Sequence, residues 1–127
     1  MKTTISGSFR KHLKEITQVI EEFEKYEVKV LSPAHTSPKN PGDEFVLFDG
    51  ETTEDPKELE ELHLKGIKNS DFLYVVNPGG YIGNSATMEI GYALALNIPI
   101  YALEEPEEFI LKLFVKKLSP KEASTAK

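Results

Sequence analysis

The sequence predicts one α/β domain: a parallel sheet of four to five strands with helices on both faces. Apolar, β-prone runs alternate along the 127 residues with segments of helical periodicity, which is the order of strand–helix–strand units with right-handed crossovers. The run Phe72-Leu73-Tyr74-Val75-Val76 is continuously apolar instead of alternating, as expected of a central strand covered on both faces. The length suits a single domain with a single core.

The N-terminal elements follow in a strand, turn, helix, strand order. Residues 3–6 are β-prone, and Gly7-Ser8 provides a tight turn. A helix comes next, since apolar residues recur at its spacing: Leu13, Ile16, Val19, Ile20 and Phe23. A second strand over 28–31 ends at Ser32-Pro33, because proline lacks the N–H that a central strand needs.

A long loop and an acidic helix precede the central strand. Proline and glycine interrupt residues 33–54, although the apolar island 45–48 is expected to dock on the domain. A helix begins near Pro56 and reaches about Lys68. We expect its acidic cluster to form a solvated face: Glu54, Asp55, Glu58, Glu60 and Glu61.

After the central strand we expect a helix over about 86–96, with Asn84 and Ser85 as N-cap types. A strand over 98–102 and an amphipathic helix over 106–118 complete the domain, 1–118, and residues 119–127 are expected to form a frayed tail. The whole arrangement is flavodoxin-like or Rossmann-like.

Composition excludes several classes of function. A net charge of −6 repels phosphate backbones and anionic membranes, so we expect no nucleic-acid or membrane partner. The sequence has no cysteine and its three histidines are far apart, so no metal site is expected. Neither an apolar signal region nor a run near 18 apolar residues is present, which favours a cytoplasmic protein.

Glu89 is the most informative residue. In such sheets ligands bind beyond the C-terminal ends of the strands, where segments 6–10, 32–35 and 77–89 are expected to converge. Glu89 is the one charged residue in the segment A-T-M-E-I-G-Y-A-L-A-L, and an unpartnered buried carboxylate is very costly. It is therefore a candidate catalytic residue, although interaction with the helix N-terminus or a place at the edge of the sheet would also explain it.

Two turns could hold an anion. The glycines of the loop before Glu89 permit close backbone approach, and the following helix N-terminus offers N–H groups, typically to phosphate. Its candidate binding residues are Asn77, Gly79, Gly80, Tyr81, Gly83 and Ser85. The first turn adds Ser6, Gly7, Ser8 and Arg10, and His35 follows the second strand. The alternatives are an ordinary loop, Ser8 as an N-cap and Arg10 facing solvent.

The segments I-S-G-S-F-R (5–10) and N-S-D-F-L-Y-V-V-N-P-G-G-Y-I-G-N-S-A-T-M-E-I-G-Y-A-L-A-L-N-I-P-I (69–100) together resemble the nucleoside 2-deoxyribosyltransferase-like superfamily. That superfamily includes 2'-deoxynucleoside 5'-phosphate N-hydrolases, and the similarity spans roughly residues 3–103. E-I-G-Y-A at 89–93 matches the family's E-[IL]-G-x-A helix, whose Glu is the nucleophile.

The resemblance implies that Glu89 attacks C1' of a (deoxy)ribose, expels the base and forms a glycosyl-enzyme ester that water or a second base resolves. It implies a nucleoside or nucleotide substrate, no cofactor and a homo-oligomer. Ser85 and the turn Gly7, Ser8 and Arg10 match the places where the phosphohydrolase branch holds its 5'-phosphate.

Three positions depart from the family pattern. The transferases carry a first-strand Tyr that positions the nucleophile, a role left unfilled by Thr4-Ile5-Ser6. His63 falls near the place of a family Asp on the preceding helix, where it could act as an acid or a base. Asn77 stands where many relatives have an acidic residue.

Three functions remain open from sequence. The first is N-glycosidic cleavage by hydrolysis or transfer, and the turn at 6–10 favours a phosphorylated substrate and hydrolysis. The second is a non-catalytic nucleotide-binding module, supported by Ile5 and His63. The third is a phosphoribohydrolase of the lysine-decarboxylase-like group, because Pro78-Gly79-Gly80 precedes a Glu, although that family's P-G-G-x-G-T-x-x-E spacing is shorter. Phe45 and Phe48 are expected to select the base; the sequence favours neither ribose nor deoxyribose.

Overall fold

The computed structural model describes residues 1–34, 37–40, 43 and 46–126. The strands are β1 (Lys2–Gly7), β2 (Lys29–Ser32), β3 (Phe72–Val76), β4 (Ile100–Ala102) and β5 (Lys116–Lys117). The helices are α1 (Phe9–Lys25), α2 (Pro56–Lys68), α3 (Asn84–Ala95), α4 (Phe109–Phe114) and α5 (Pro120–Ala123), with a 3-10 turn at Pro78–Gly80. All strand pairs are parallel, in the order β2-β1-β3-β4-β5. The predicted α/β fold is confirmed.

The central strand β3 separates two apolar layers because its side chains alternate between the faces of the sheet. Phe72, Tyr74 and Val76 pack with Phe23 of α1 and Ala123 of α5. Leu73 and Val75 pack on the opposite face, in a cluster completed from the helices and neighbouring strands by Ile67, Ile90, Ala93, Ile100, Ala102 and Val115. Every β3 side chain is buried, as its continuous apolar sequence predicts.

The fold brings two helix N-termini to one edge of the sheet. The strand order changes direction at β1, whose neighbours are β2 on one side and β3 on the other. Helices α1 and α3 start just beyond the C-terminal ends of β1 and β3, so their N-termini face the position where ligands bind in such sheets. A Cβ on Gly7 would lie 2.8 Å from the Val76 carbonyl oxygen, so this close approach of β1 to β3 requires glycine.

The C-terminal region differs from the prediction. The expected helix over 106–118 is the six-residue α4, and Lys116–Lys117 form a strand beside β4. Val115 is the reason: it turns to extended geometry and buries its side chain in the core. The expected frayed tail was also wrong, since Ser119 and Glu122 form a capping box that starts α5 and Ala123 is fully buried.

The apolar island of the long loop docks where the structure describes it. Val46 and Phe48 are buried, and the rings of Phe48 and Phe9 meet edge to face with centroids 5.5 Å apart. His35 and Phe45, both predicted to contact the ligand, lie outside the described residues. Within the described ranges, no helix has the length and apolar character needed to cross a membrane.

Candidate active site

Glu89 lies on the inner face of α3 and is 5% exposed. Its Oε1 accepts a hydrogen bond of 2.5 Å from the Ser6 hydroxyl. Ile5 points to the α1 face of the sheet, so its neighbour Ser6 points to the α3 face. The first strand therefore does supply a hydroxyl to Glu89. It comes from Ser6, the residue that follows the apolar Ile5.

His63 approaches the same carboxylate from α2. Its Nε2 lies 3.4 Å from Glu89 Oε1, and the imidazole is buried. Its Nδ1 is 2.5 Å from the hydroxyl of Ser32, the last residue of β2. The contacts with Ser32 and Glu89 hold the imidazole ring in one orientation between them.

Glu60 is the residue that sequence analysis missed. The expected solvated position was wrong for it: Glu60 is half-buried, lines the cavity and hydrogen-bonds to Glu89. Desolvation, with the nearby Glu89 charge, raises the pKa of Glu60 to about 9. A hydrogen bond between two carboxyl groups needs a proton on one of them, and this shift assigns it to Glu60 at neutral pH.

The pKa of Glu89 shifts in the opposite direction. Burial by itself would raise the pKa of Glu89, but the contacts from His63, Glu60 and Ser6 outweigh desolvation and hold it below its usual range. Two neighbouring carboxyl groups thus take different states at neutral pH, an ionised Glu89 and a protonated Glu60. Pairs of carboxyl groups whose pKa values are shifted apart are typical of sites that use one of the two groups as a nucleophile or base.

A cavity of about 460 Å³ contains this cluster. Its volume suits a small molecule of nucleotide size. Glu60, His63 and Glu89 all line it, and among the described residues no group of three or more His, Cys, Asp or Glu side chains is arranged to hold a metal ion. Another part of the cavity is lined by the first turns of α1 and α3.

This part of the cavity suits an anion. Arg10 and Lys11 line it, and Lys11 Nζ lies 4.4 Å from the centre of the Tyr81 ring. Ser8 caps α1 by accepting from the Lys11 N–H. The α3 N-cap is Gly83, which has no side chain to occupy the first N–H groups of that helix. Together with the exposed Ser85, this part of the cavity offers donors and positive charge to a phosphate.

Apolar side chains form a further part of the cavity wall. Phe9 contacts both Phe48 and His63 edge to face, with centroids 5.5 Å and 6.4 Å apart. Leu31, Leu59 and Val46 extend this wall. A flat aromatic base would find apolar contacts here, close to Glu89.

The structure brings together only some of the predicted residues. Gly7, Ser8, Arg10, Tyr81, Gly83 and Ser85 line the cavity together with His63 and Glu89. Ser6 is fully buried behind Glu89 and contacts it instead of lining the cavity.

The remaining predicted residues support the loop. Asn77 bonds both backbone groups of Glu104 through its amide, at 2.9 Å each, and Gly80 accepts from the Glu107 N–H at 2.9 Å. Gly79 and Gly80 have φ of 71° and 86°, which explains glycine there. Neither these glycines nor Asn77 line the cavity.

Comparisons with known proteins gave matches among solved structures. No protein-family model and no curated protein matches the sequence. Among solved structures, a CMP N-glycosidase of Clostridium botulinum is 16% identical with a TM-score of 0.62, covering 98% of this chain and 94% of its own. A 2-deoxyribosyltransferase of Bacillus psychrosaccharolyticus is 15% identical with a TM-score of 0.61, covering 100% and 93%. This chain shares its fold with these two enzymes.

A further match has the same fold at a similar distance. It is a conserved protein of Enterococcus faecalis V583, 20% identical with a TM-score of 0.58, and the match covers 80% of this chain and 62% of that one. The fold that the resemblance implied for residues 3–103 is thus confirmed over essentially the whole chain.

Proposed function

We propose that this protein cleaves the N-glycosidic bond of a nucleoside 5'-monophosphate, with Glu89 as nucleophile. The observation that carries this proposal is the ionised, buried Glu89 carboxylate, held by Ser6 and His63 at the wall of a nucleotide-sized cavity. The shared fold with a CMP N-glycosidase and a 2-deoxyribosyltransferase supports it. We assign the chain to the superfamily of those transferases on the same grounds.

In the proposed reaction a carboxylate oxygen of Glu89 attacks C1' of the sugar. The C1'–O bond forms as the C1'–N bond breaks, and the base leaves with the electron pair and takes a proton from water. The hydroxide that this water leaves then attacks C1' and displaces Glu89, which restores the carboxylate. The sum is nucleotide plus water giving free base plus sugar 5-phosphate; an acceptor base in place of water would give transfer.

The neighbours of Glu89 support its role as nucleophile. The Ser6 hydroxyl fixes Oε1, which leaves less rotational freedom to lose on the way to the transition state. His63 stands on the same side of the sugar as Glu89, so in this proposal it orients and stabilises the nucleophile instead of protonating the base. His63 remains a catalytic residue in this proposal because it contacts the reacting carboxylate.

The part of the cavity that suits an anion favours hydrolysis of monophosphates. Arg10 and the first turns of α1 and α3 hold the 5'-phosphate, with Ser85 as a further donor. Phe48 and Phe9 then pack against the base. A non-catalytic binding module is less well supported, because Ser6 supplies the hydroxyl contact whose absence had favoured it.

The experiment is detection of free base by chromatography after incubation with nucleosides and their 5'-monophosphates, with and without an acceptor base. We expect release from monophosphates without acceptor, and loss of release by at least about 1,000-fold in Glu89→Gln. Glu58→Gln, a change at an exposed residue of the same protein outside this cavity, is the matched control. Base release that survives Glu89→Gln would contradict the proposal.

We further propose that the protein is a homo-oligomer. Helix α4 exposes four large apolar side chains, with Phe109 and Leu113 68% and 62% exposed, and α3 exposes Met88 and Leu94. Apolar surface of this kind marks an interface. Sedimentation should give a multiple of the 14.3 kDa chain mass that falls in Leu113→Glu or Leu94→Glu but not in Lys112→Glu. A monomeric wild-type protein at micromolar concentration would exclude the oligomer.

A further inference from the structure

Glu51 is a carboxylate of the cavity wall that the proposed reaction does not use. Among the described residues, two further carboxyl groups line the cavity, and these belong to Glu60 and Glu89, which hydrogen-bond to each other. No described residue forms a hydrogen bond or an ion pair with the half-buried Glu51. Both oxygens of a carboxylate accept hydrogen bonds and cannot donate them. The Glu51 carboxylate is therefore available to N–H or O–H groups of a bound molecule.

A tight turn places Glu51 beside an aromatic side chain of the same wall. Asp49 and Gly50 form the turn, in which Gly50 has a φ of 91°, and Phe48 and Glu51 flank it. The ends of a four-residue turn lie within about 7 Å of each other, measured between Cα atoms. Phe48 also lines the cavity, and its ring meets the ring of Phe9 with centroids 5.5 Å apart. Glu51 thus belongs to the aromatic part of the cavity.

The loop around Glu51 is anchored on both sides. Before Glu51, the Asp49 N–H donates to the Ser37 carbonyl oxygen at 2.7 Å. After it, the Lys39 ammonium forms an ion pair of 2.9 Å with Glu54. An acceptor that is held in place before binding loses less entropy when a ligand arrives. The loop therefore presents Glu51 to the cavity as a preorganised acceptor.

The contacts of the wall connect the reacting carboxylate to this loop. His63 Nε2 lies 3.4 Å from Glu89 Oε1, and the rings of His63 and Phe9 meet with centroids 6.4 Å apart. Phe9 in turn contacts Phe48. Given the proposed function, on which this inference rests, C1' of the sugar lies at Glu89 and the base packs on Phe9 and Phe48. The edge of the base remote from the sugar is then the part that meets Glu51.

Nucleobases differ in the hydrogen-bond pattern of that edge. Guanine presents two neighbouring donors, the N1–H and the 2-amino group, whereas adenine and cytosine present one amino group next to a ring nitrogen that accepts. Uracil presents a single N–H between two carbonyl oxygens. The two oxygens of a carboxylate match the paired donors of guanine, in the same way that they match the paired N–H groups of an arginine side chain.

We propose that Glu51 selects guanine by accepting from its N1–H and its 2-amino group. The substrate class is thus a guanine nucleoside 5'-monophosphate. With the other bases, one oxygen of the Glu51 carboxylate would stay unpaired or would face an acceptor. A site built to bind a hydrogen-bonding group rejects an analogue that lacks this group by far more than a purely apolar pocket does.

The test compares guanine with hypoxanthine, which lacks only the 2-amino group, on the same sugar: GMP with IMP, and dGMP with dIMP. CMP and AMP complete the panel. We expect kcat/KM for base release from the guanine nucleotide to exceed that from its hypoxanthine counterpart about tenfold, the lower end for a hydrogen bond to a charged group, because Glu51 is partly exposed. Equal release of guanine and hypoxanthine, or faster release of cytosine or adenine, would overturn the proposal.

Two substitutions on the same turn connect the selectivity to Glu51. Glu51→Gln keeps the size of the side chain but leaves one acceptor oxygen, so the guanine-to-hypoxanthine ratio of kcat/KM should fall below about three. Asp49→Asn removes the same charge from an exposed residue that does not line the cavity, and it should leave the ratio unchanged. A ratio that survives Glu51→Gln, or that falls equally in Asp49→Asn, would exclude a direct contact between Glu51 and the base.

A binding measurement separates this inference from the proposed function. In Glu89→Gln, which lacks the nucleophile, calorimetry should give a Kd for GMP about tenfold lower than the Kd for IMP. Base release with no preference for guanine would reject the inference and leave the glycosidase. Guanine-selective binding that is lost in Glu51→Gln, without any base release by the wild type, would reject the glycosidase and leave the inference.

Discussion

The Ser6 hydroxyl of β1 donates a 2.5 Å hydrogen bond to Oε1 of Glu89 on α3, across 83 residues of sequence. Both side chains are buried. A hydrogen bond to a charged group contributes about 1.5 to 3 kcal/mol, and this one fixes the carboxylate at the cavity wall. The bond links β1 to α3, the helix that carries the proposed nucleophile.

Ser6→Ala should lower kcat more than it raises KM. Losing a bond of that strength from the transition state corresponds to a decrease of about 10- to 150-fold in kcat, because Ser6 does not line the cavity and so contributes little to binding substrate. Steady-state kinetics of base release measures both constants. Thr4→Val, a change on the same strand whose hydroxyl contacts Ser70, should leave kcat within about twofold, and an equal loss there would point to a general structural effect.

Arg10→Ala should separate monophosphates from nucleosides. If Arg10 binds the 5'-phosphate, KM for the monophosphate rises about tenfold while the weaker cleavage of the nucleoside is unchanged. Lys14 is also an exposed cation of α1 but does not line the cavity, so Lys14→Ala is the matched control. Equal effects of the two changes would indicate long-range electrostatics instead of a phosphate contact.

Phe48→Ala should alter base preference. Phe48 is buried against Phe9 on the cavity wall, and losing an aromatic contact of about 1 kcal/mol changes the purine-to-pyrimidine ratio of kcat/KM about fivefold. The ratio within one variant is the quantity to measure, because loss of folded protein cancels from it. An unchanged ratio would exclude Phe48 from base selection.

The protonated Glu60 makes stability depend on pH. The pKa of Glu60 is about 9 in the folded state against its ordinary value of 4.5, so between these values the folded protein holds a proton that the unfolded chain releases. The free energy of unfolding therefore falls as pH rises through this window. Glu89 acts in the opposite direction and only at lower pH, since its pKa is lowered by folding.

Glu60→Gln removes this dependence, because the amide imitates the neutral carboxyl at every pH. We expect the difference in Tm, variant minus wild type, to increase by a few degrees between about pH 5 and about pH 9. The effect is smaller than for a fully buried group because Glu60 is partly exposed. Glu61→Gln, at an exposed neighbour, should show no such trend. A constant Tm difference across this range would contradict a protonated Glu60.

Local sequence predicted most of the framework. Periodicity located α1, α2, α3 and the four principal strands, and the continuous apolar run identified β3 as the central strand. Glu89 stood out because a charge in an apolar helix needs a partner. These features are visible locally because side-chain burial in a helix or strand follows its own repeat.

The C-terminal segment could not be predicted in this way. The apolar residues of α4 have helical spacing, yet all except Leu111 remain exposed, while Val115 enters the core. Pairing of Lys116–Lys117 with β4 decides this, and a strand pair between distant segments leaves no periodic signal in either one. The capping box of α5, by contrast, is a local pattern in Ser119-Pro120-Lys121-Glu122 that could have been recognised.

The sequence by itself determined the α/β order, the central strand and the identity of the charged residue at the centre of the candidate site. Only the tertiary structure decided which groups surround that charge. Ser6 and Glu60 look ordinary in sequence, one in a β-prone run and the other in an acidic cluster. They gain their proposed roles because folding removes Glu89 from water, and a buried carboxylate has to be satisfied by whichever polar side chains the fold brings to it.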